Sequence, residues 1–506
     1  MADEEPVESL LHQLQKHSIE ETTDGAEAEV DHSVEVEPGP SDLLNLIMCL
    51  PADELTGFFQ VKTLVRLAQA SKSAIPECLL NDLPREYRLN KEWWASSDGS
   101  AQTKANFILD ELLKKGRTKI ESIILPGMIR EECFREEAAK LAEVLSHHQE
   151  LTHLDLSRNN MHWWALQQQQ DNWHQIEWRL TNLTHLDLND CNLNYAGLRI
   201  IDRILSQWNC AQLTHLNLKN NKLLGANGEW PTLLQKFTEL RHLDLGMNYI
   251  GEGQMECIEA GLRECTTLTH LDLSQNQLAP DGYQVLARVL LKFPGLTHLV
   301  LASTVLNDAG VGHLNPVFRQ CTELLHLNIS GNNIHPETLP SFFQALSNCT
   351  SLTHLNLSFG SSYDYELTYG STDIIAHALC SFPVLAELNL GYAAMKAQGA
   401  RELAGYLPQY TALTHLRVGG NNIGEEGTLA LCEVLPQCKK LSSLDMSANQ
   451  IGTHAHNIVD ACMKMPAARR KFELNLVNND ITETQQKELT TLFHGTGLVV
   501  KWNSWT

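Results

Sequence analysis

The chain of 506 residues contains no run of eighteen apolar residues, so no segment is expected to cross a membrane as a helix. Its first residues, Met1-Ala2-Asp3-Glu4-Glu5, lack the positive and apolar stretches of a secretory leader, and none is expected. Thirteen cysteines are scattered singly, with no Cys-x-x-Cys pair. That excludes a zinc ribbon and favours reduced thiols in a cytoplasmic setting over a disulfide framework. Basic residues are scarce, 38 against 61 acidic ones, for a net charge of −23. Such a balance argues against nucleic-acid phosphates as the partner. Phosphate-loop, nucleophile-elbow, HExxH and kinase signatures are also missing. The expectation is a protein that is not an enzyme, with no cofactor and no bound metal.

What charge there is sits unevenly. Residues 1–40 hold twelve acids and one base, Lys16. This segment is expected to be a disordered acidic tail, because its Glu, Asp, Ser and Gly outnumber residues able to form a core.

The rest is dominated by repetition. Leu-Thr-His-Leu-Asp-Leu stands at 151–156, 183–188 and 268–273, and variants start at 213, 240, 296, 324, 352, 385, 413 and 441. A degenerate unit opens the array at 120–125 and another closes it at 472–481, which makes about thirteen. In each unit two leucines, such as Leu154 and Leu156, share one side of a short strand, while His153 and Asp155 share the other. An Asn follows, as at Asn159, Asn221, Asn248, Asn276, Asn332, Asn421, Asn449 and Asn479. A buried Asn can satisfy backbone groups in the bend, which a hydrophobe cannot. A helix is predicted next: Met255, Ile258 and Leu262 share one face after Gly251.

The recurring LxxLxLxxNxL unit resembles the leucine-rich repeat family, specifically its ribonuclease-inhibitor-like subclass. The histidine in nearly every strand is similar to repeat effectors of intracellular bacteria, which implies the cytosol of a host cell after translocation. The resemblance implies an α/β solenoid, a horseshoe with a parallel concave sheet and convex helices, whose stability comes from stacked neighbours and capped ends. The organisation read from the sequence is an acidic tail at 1–40, a small helical module at 41–118, repeats at 119–481 and a C-terminal cap at 482–506. Within the cap, a helix from Glu483 to Phe493 and a closing strand around 498–502 are predicted.

The concave strand face is the first candidate site. One column carries His153, His185, His215, His242, His270, His298, His326, His354 and His415. The next carries Asp155, Asp187, Asn217, Asp244, Asp272, Asn328, Asn356, Asn389, Arg417 and Asp445. Two readings are open: an acidic, hydrogen-bonding platform for a partner protein, or repeat consensus in which His and Asp satisfy each other. A metal site would need converging ligands, whereas ladder residues project in parallel.

Departures from the consensus point further. Val300 and Ala302-Ser303-Thr304 interrupt the polar column and the Asn, and the unit at 385 departs with Glu387, Tyr392 and Ala393. A long loop carries Tyr363, Tyr365 and Tyr369 among acids, a composition suited to a binding hot spot on the rim. Trp163, Trp164, Trp173 and Trp178 are read as filler near the N-terminal cap.

The stretch 48–80 is similar to the F-box motif. Leu50, Pro51, Leu55, Phe59, Leu64 and Leu67 match its Leu-Pro, acidic-Leu and Leu-rich helix. The resemblance implies that they grip the adaptor of a cullin-type ubiquitin ligase; the other reading is an amphipathic repeat cap. Phe59 to Leu64 is about three residues shorter than the motif's usual spacing, and the aromatic after Lys72 is missing. The leading expectation is non-catalytic protein recognition by a monomer, as a ligase substrate receptor. The alternatives are an inhibitor or scaffold for a basic partner, and a regulator of a small GTPase.

Overall fold

The computed structural model describes residues 86–88, 122–125, 127, 141, 143–148, 150–161, 180–208, 211–225, 228–359, 371–465 and 471–502. The chain divides into two units, Met1–Leu83 and Pro84–Thr506, and every described residue belongs to the second. The acidic tail, the F-box-like stretch, the tryptophan cluster at 163–178 and the tyrosine-rich loop lie outside the described residues.

The second unit is one open parallel sheet whose strands follow chain order without a crossover. Repeat strands run through Ser122–Ile124, His153–Asp155, His185–Asp187, His215–Asn217, His242–Asp244, His270–Asp272 and His298–Val300. They continue through His326–Asn328, His354–Asn356, Glu387–Asn389, His415–Arg417, Ser443–Asp445 and Phe472–Asn475. Leu498–Lys501 closes the sheet after the helix Glu483–Leu492, where the sequence puts both. At the other end the sheet begins earlier than the repeats suggest. Glu86–Arg88, inside the stretch read as a helical module, pairs in register with Ser122–Ile124. An edge strand of three residues pairs through its backbone, so no apolar alternation marks it.

From Leu154 through Leu355 each strand buries its middle leucine and leaves the flanking residues half-exposed, or exposed at His153. On the leucine side lie helices such as Glu252–Gly261, which buries Met255 and Ile258 as the spacing predicts. Parallel strands stand about 4.8 Å apart and packed helices 8–10 Å. A stack with helices on one side therefore curves, with the strand face concave. That is the horseshoe expected. The helices approach closely where side chains are small. A Cβ at Gly261 would stand 2.9 Å from the Trp230 carbonyl oxygen and 2.8 Å from Leu234 Cβ.

The bends are held by the asparagines. Asn276 Oδ1 accepts from the N–H of Asn248 (3.0 Å) and Ile250 (2.9 Å) in the preceding repeat. Its Nδ2 donates to the carbonyls of Leu245 and Leu273. Asn221, Asn332, Asn421 and Asn449 do the same between their own neighbours. The asparagine does more than the sequence suggests: it ties one bend to the next. Residues on both sides of this position take left-handed backbone, among them Met247 and Tyr249 around Asn248 (φ 59° and 58°) and Ser303 and Val305 around Thr304, which holds the same place (54° and 61°). For β-branched Val305 this is a strained conformation.

Candidate functional site

The strand register sets histidine beside histidine on adjacent strands. From His153 to His354 eight imidazoles form an unbroken stack with centroids 3.9–5.6 Å apart. Most rings are also held by the threonine before them. Thr184 Oγ1 lies 2.8 Å from His185 Nδ1, and Thr152, Thr214, Thr269, Thr297, Thr353 and Thr414 repeat the contact. Oγ1 of Thr184, Thr214, Thr269, Thr297, Thr353 and Thr414 donates to a carbonyl of the preceding repeat, so in these contacts the imidazole Nδ1–H donates to Oγ1 and Nε2 is left an acceptor.

His242 and His326 follow Arg241 and Leu325 instead, and the stack loosens there. Centroids are 3.9–4.0 Å apart for His153–His185, His185–His215 and His270–His298. They are 5.3–5.6 Å apart for every pair that includes His242 or His326. The stack disfavours charge. Burial, then the neighbouring rings, push His185 and His298 down to about 4, and burial lowers His215, His242, His270 and His326.

The acidic and amide column is fixed differently. Oδ1 of Asp155, Asp187, Asp244 and Asp272 accepts from the N–H two residues on, at 2.7–2.9 Å. Asn217, Asn328, Asn356 and Asn389 use Oδ1 for the same bond at 3.0–3.1 Å. This corrects the expectation that the two columns pair: the imidazoles rest on threonines and each other, the carboxylates on strand-exit amides. Burial and the adjacent Asp272 raise Asp244 to about 6, and burial raises Asp187. Lys219 bridges Asp272 (3.1 Å) and Asp244 (3.6 Å).

Where the consensus breaks, the structure compensates. Glu387 takes the histidine position and stands 3.4 Å from His354 Nε2 and 3.6 Å from Arg417. Thr304 replaces the bend asparagine; its hydroxyl donates to the Leu301 carbonyl, and the buried Tyr283 hydroxyl reaches Thr304 Oγ1 at 2.6 Å. Cys191 stands in the same role, its thiol donating to the Leu156 carbonyl. Burial pushes the thiols of Cys321 and Cys349 up to about 11 and about 12, so they stay protonated. Tyr392 is exposed beside Gly420, where a Cβ would stand 2.5 Å from the ring.

Of the predicted site residues, His242, His270, His298, His326, His354, Asp244, Asp272, Asn328, Asn356 and Arg417 share this one face. Tyr363, Tyr365, Tyr369, Leu50, Pro51, Leu55, Phe59, Leu64 and Leu67 lie outside the described residues. Among the described residues no group of three or more His, Cys, Asp or Glu is placed to hold a metal ion. Sequence reasoning missed Glu387 as an ion-pair centre and Tyr283 as a partner of the bend. A signal for Glu387 was present, in its interruption of the histidine column.

The family described as Leucine Rich repeat matches residues 179–199, 264–287, 320–338 and 411–432. No curated protein sequence matches the chain. Among solved structures, the chain is similar to one in the crystal structure of the Rad7 and Elc1 complex of yeast. That match has 17% identity and a TM-score of 0.47, covering 81% of this chain and 94% of that one. It is also similar to an internalin, inlF, of Listeria monocytogenes, with 17% identity and a TM-score of 0.36, covering 79% and 89%.

Proposed function

We propose that this chain, a leucine-rich repeat protein, recognises a partner protein on the concave strand face of its repeats. Leucine-rich repeats are a scaffold for protein–protein interaction, and one observation supports placing the contact here. Among the described residues the fold does not use Oδ2 of Asp155, Nδ2 of Asn328, Asn356 and Asn389, or the imidazole Nε2 atoms of the column other than that of His354. Surface of this kind offers many weak polar contacts over a broad area, which suits a macromolecule better than a small ligand. Replacing His270 and Asn328 together by Ala should weaken partner binding at least tenfold. The same change at Glu256 and Gln344, exposed on the helices, should leave affinity intact. The reverse result contradicts the reading.

A finer role rests on the sequence of 48–80 alone. With Leu50 and Pro51 at an F-box-like motif, the captured partner would be delivered to a cullin-type ubiquitin ligase in the cytosol. The intact chain should then pull down the ligase adaptor, and Leu50→Ala/Pro51→Ala should lose it. An intact chain that captures no adaptor ends this role and leaves concave-face recognition standing.

A further inference from the structure

The Asp and Asn column separates what the fold needs from what it leaves open. In both residue types Oδ1 makes the bond to the strand-exit amide, so the fold asks only for one or the other. The second atom is an accepting Oδ2 in Asp and a donating Nδ2 in Asn. In the early repeats Asn217 Nδ2 donates to Asp187 Oδ2 (3.1 Å) and Lys219 bridges Oδ2 of Asp244 and Asp272, an arrangement that leaves net negative charge. Their order along the sheet is largely segregated, with Asn217 and the last member, Asp445, as the exceptions. Asp155, Asp187, Asp244 and Asp272 occupy one half, with Asn217 among them; Asn328, Asn356, Asn389 and Arg417 occupy the next. Val300 and Ala302 form an apolar step between the halves. No protein group uses Nδ2 of Asn328, Asn356 or Asn389 among the described residues.

Charge follows the same division. In the first half four carboxylates face one bridging ammonium, Lys219, with Arg158 and Arg241 exposed at its margins. Beside them burial lowers His185 to about 4 and also lowers His215, His242 and His270, which disfavours positive charge on these rings. From Asn328 to Arg417 the charged side chains of the two columns besides histidine are Glu387 and Arg417, which pair with each other; the carboxylate of Asp445 follows on the next strand.

We propose that the concave face seats an extended polypeptide segment of divided charge, its Lys or Arg side chains against Asp155–Asp272 and its carboxylates or carbonyls against Asn328, Asn356, Asn389 and Arg417. This rests on the recognition reading above and adds the partner's chemistry and its orientation. Nine strand intervals separate Asp155 from Arg417, about 43 Å at 4.8 Å each, which an extended segment of about thirteen residues spans.

The probe is a labelled thirteen-residue peptide of four lysines, five glycines and four glutamates, titrated into the full chain at low salt. A glycine–serine peptide and an all-lysine peptide of equal length are the references. The divided peptide should bind, and Asp244→Asn/Asp272→Asn should weaken it about tenfold. Asn328→Asp/Asn356→Asp should also weaken it while strengthening the all-lysine peptide. All four changes keep Oδ1, so matching melting curves are expected. Binding no better than the glycine–serine peptide overturns the proposal, as does binding that ignores both pairs of substitutions. Neither result touches the recognition reading, which the concave and convex alanine variants decide with the intact partner.

Discussion

At the scale of single residues, asparagine and histidine have opposite standing although both recur in most repeats. Asn276 is buried and serves four backbone groups across two repeats. Its truncation strands two N–H donors and two carbonyls, at about 1–3 kcal/mol for each group that water does not reach. Asn276→Ala is therefore expected to cost about 3 kcal/mol or more in urea unfolding, and His270→Ala less than about 1 kcal/mol. Equal losses would show that the bend does not depend on the amide. The asparagines were legible because their spacing repeats. Cys191 and Thr304 were not legible as their substitutes, since Thr304 depends on Tyr283, 21 residues away in the chain.

At the scale of elements, leucine periodicity named the repeat strands, the capping helix and the closing strand. It could not name Glu86–Arg88, a three-residue strand in register with Ser122–Ile124. Nor could it show the helix contacts. Alanine favours helix over glycine by about 1 kcal/mol, yet Gly261→Ala would drive a methyl into the Trp230 carbonyl and Leu234. The clash is with backbone, so the melting temperature should fall; a rise would mean the two helices part freely.

The imidazole column is likewise a property of neighbouring strands. Its rings resist protonation in the folded chain, so as pH falls from about 6.5 toward about 4 the unfolded chain binds protons first and stability declines. Asp187 and Asp244 act in the opposite sense, taking protons in the folded chain before the unfolded one. Six lowered histidines against two raised aspartates set the expected sign. His185→Asn/His298→Asn should flatten the decline in denaturant midpoint between pH 7 and pH 4. A wild-type midpoint as flat as the variant's would contradict it.

At the scale of the whole molecule, the repeat architecture and the face that carries the ladders were readable from sequence, because one pattern recurs. The division of that face was present in the letters too, as mostly Asp in early repeats and mostly Asn in later ones, Asn217 and Asp445 excepted. Its meaning required the bond that both share. The most direct test is a photoreactive side chain placed singly at Ser330 or Ser447 on the concave side, and at Glu256 or Gln344 on the helices. Crosslinking of one and the same partner protein from Ser330 and Ser447, with little from Glu256 and Gln344, is the expected result. Capture from the helical side with none from the strand face would contradict recognition by the concave surface.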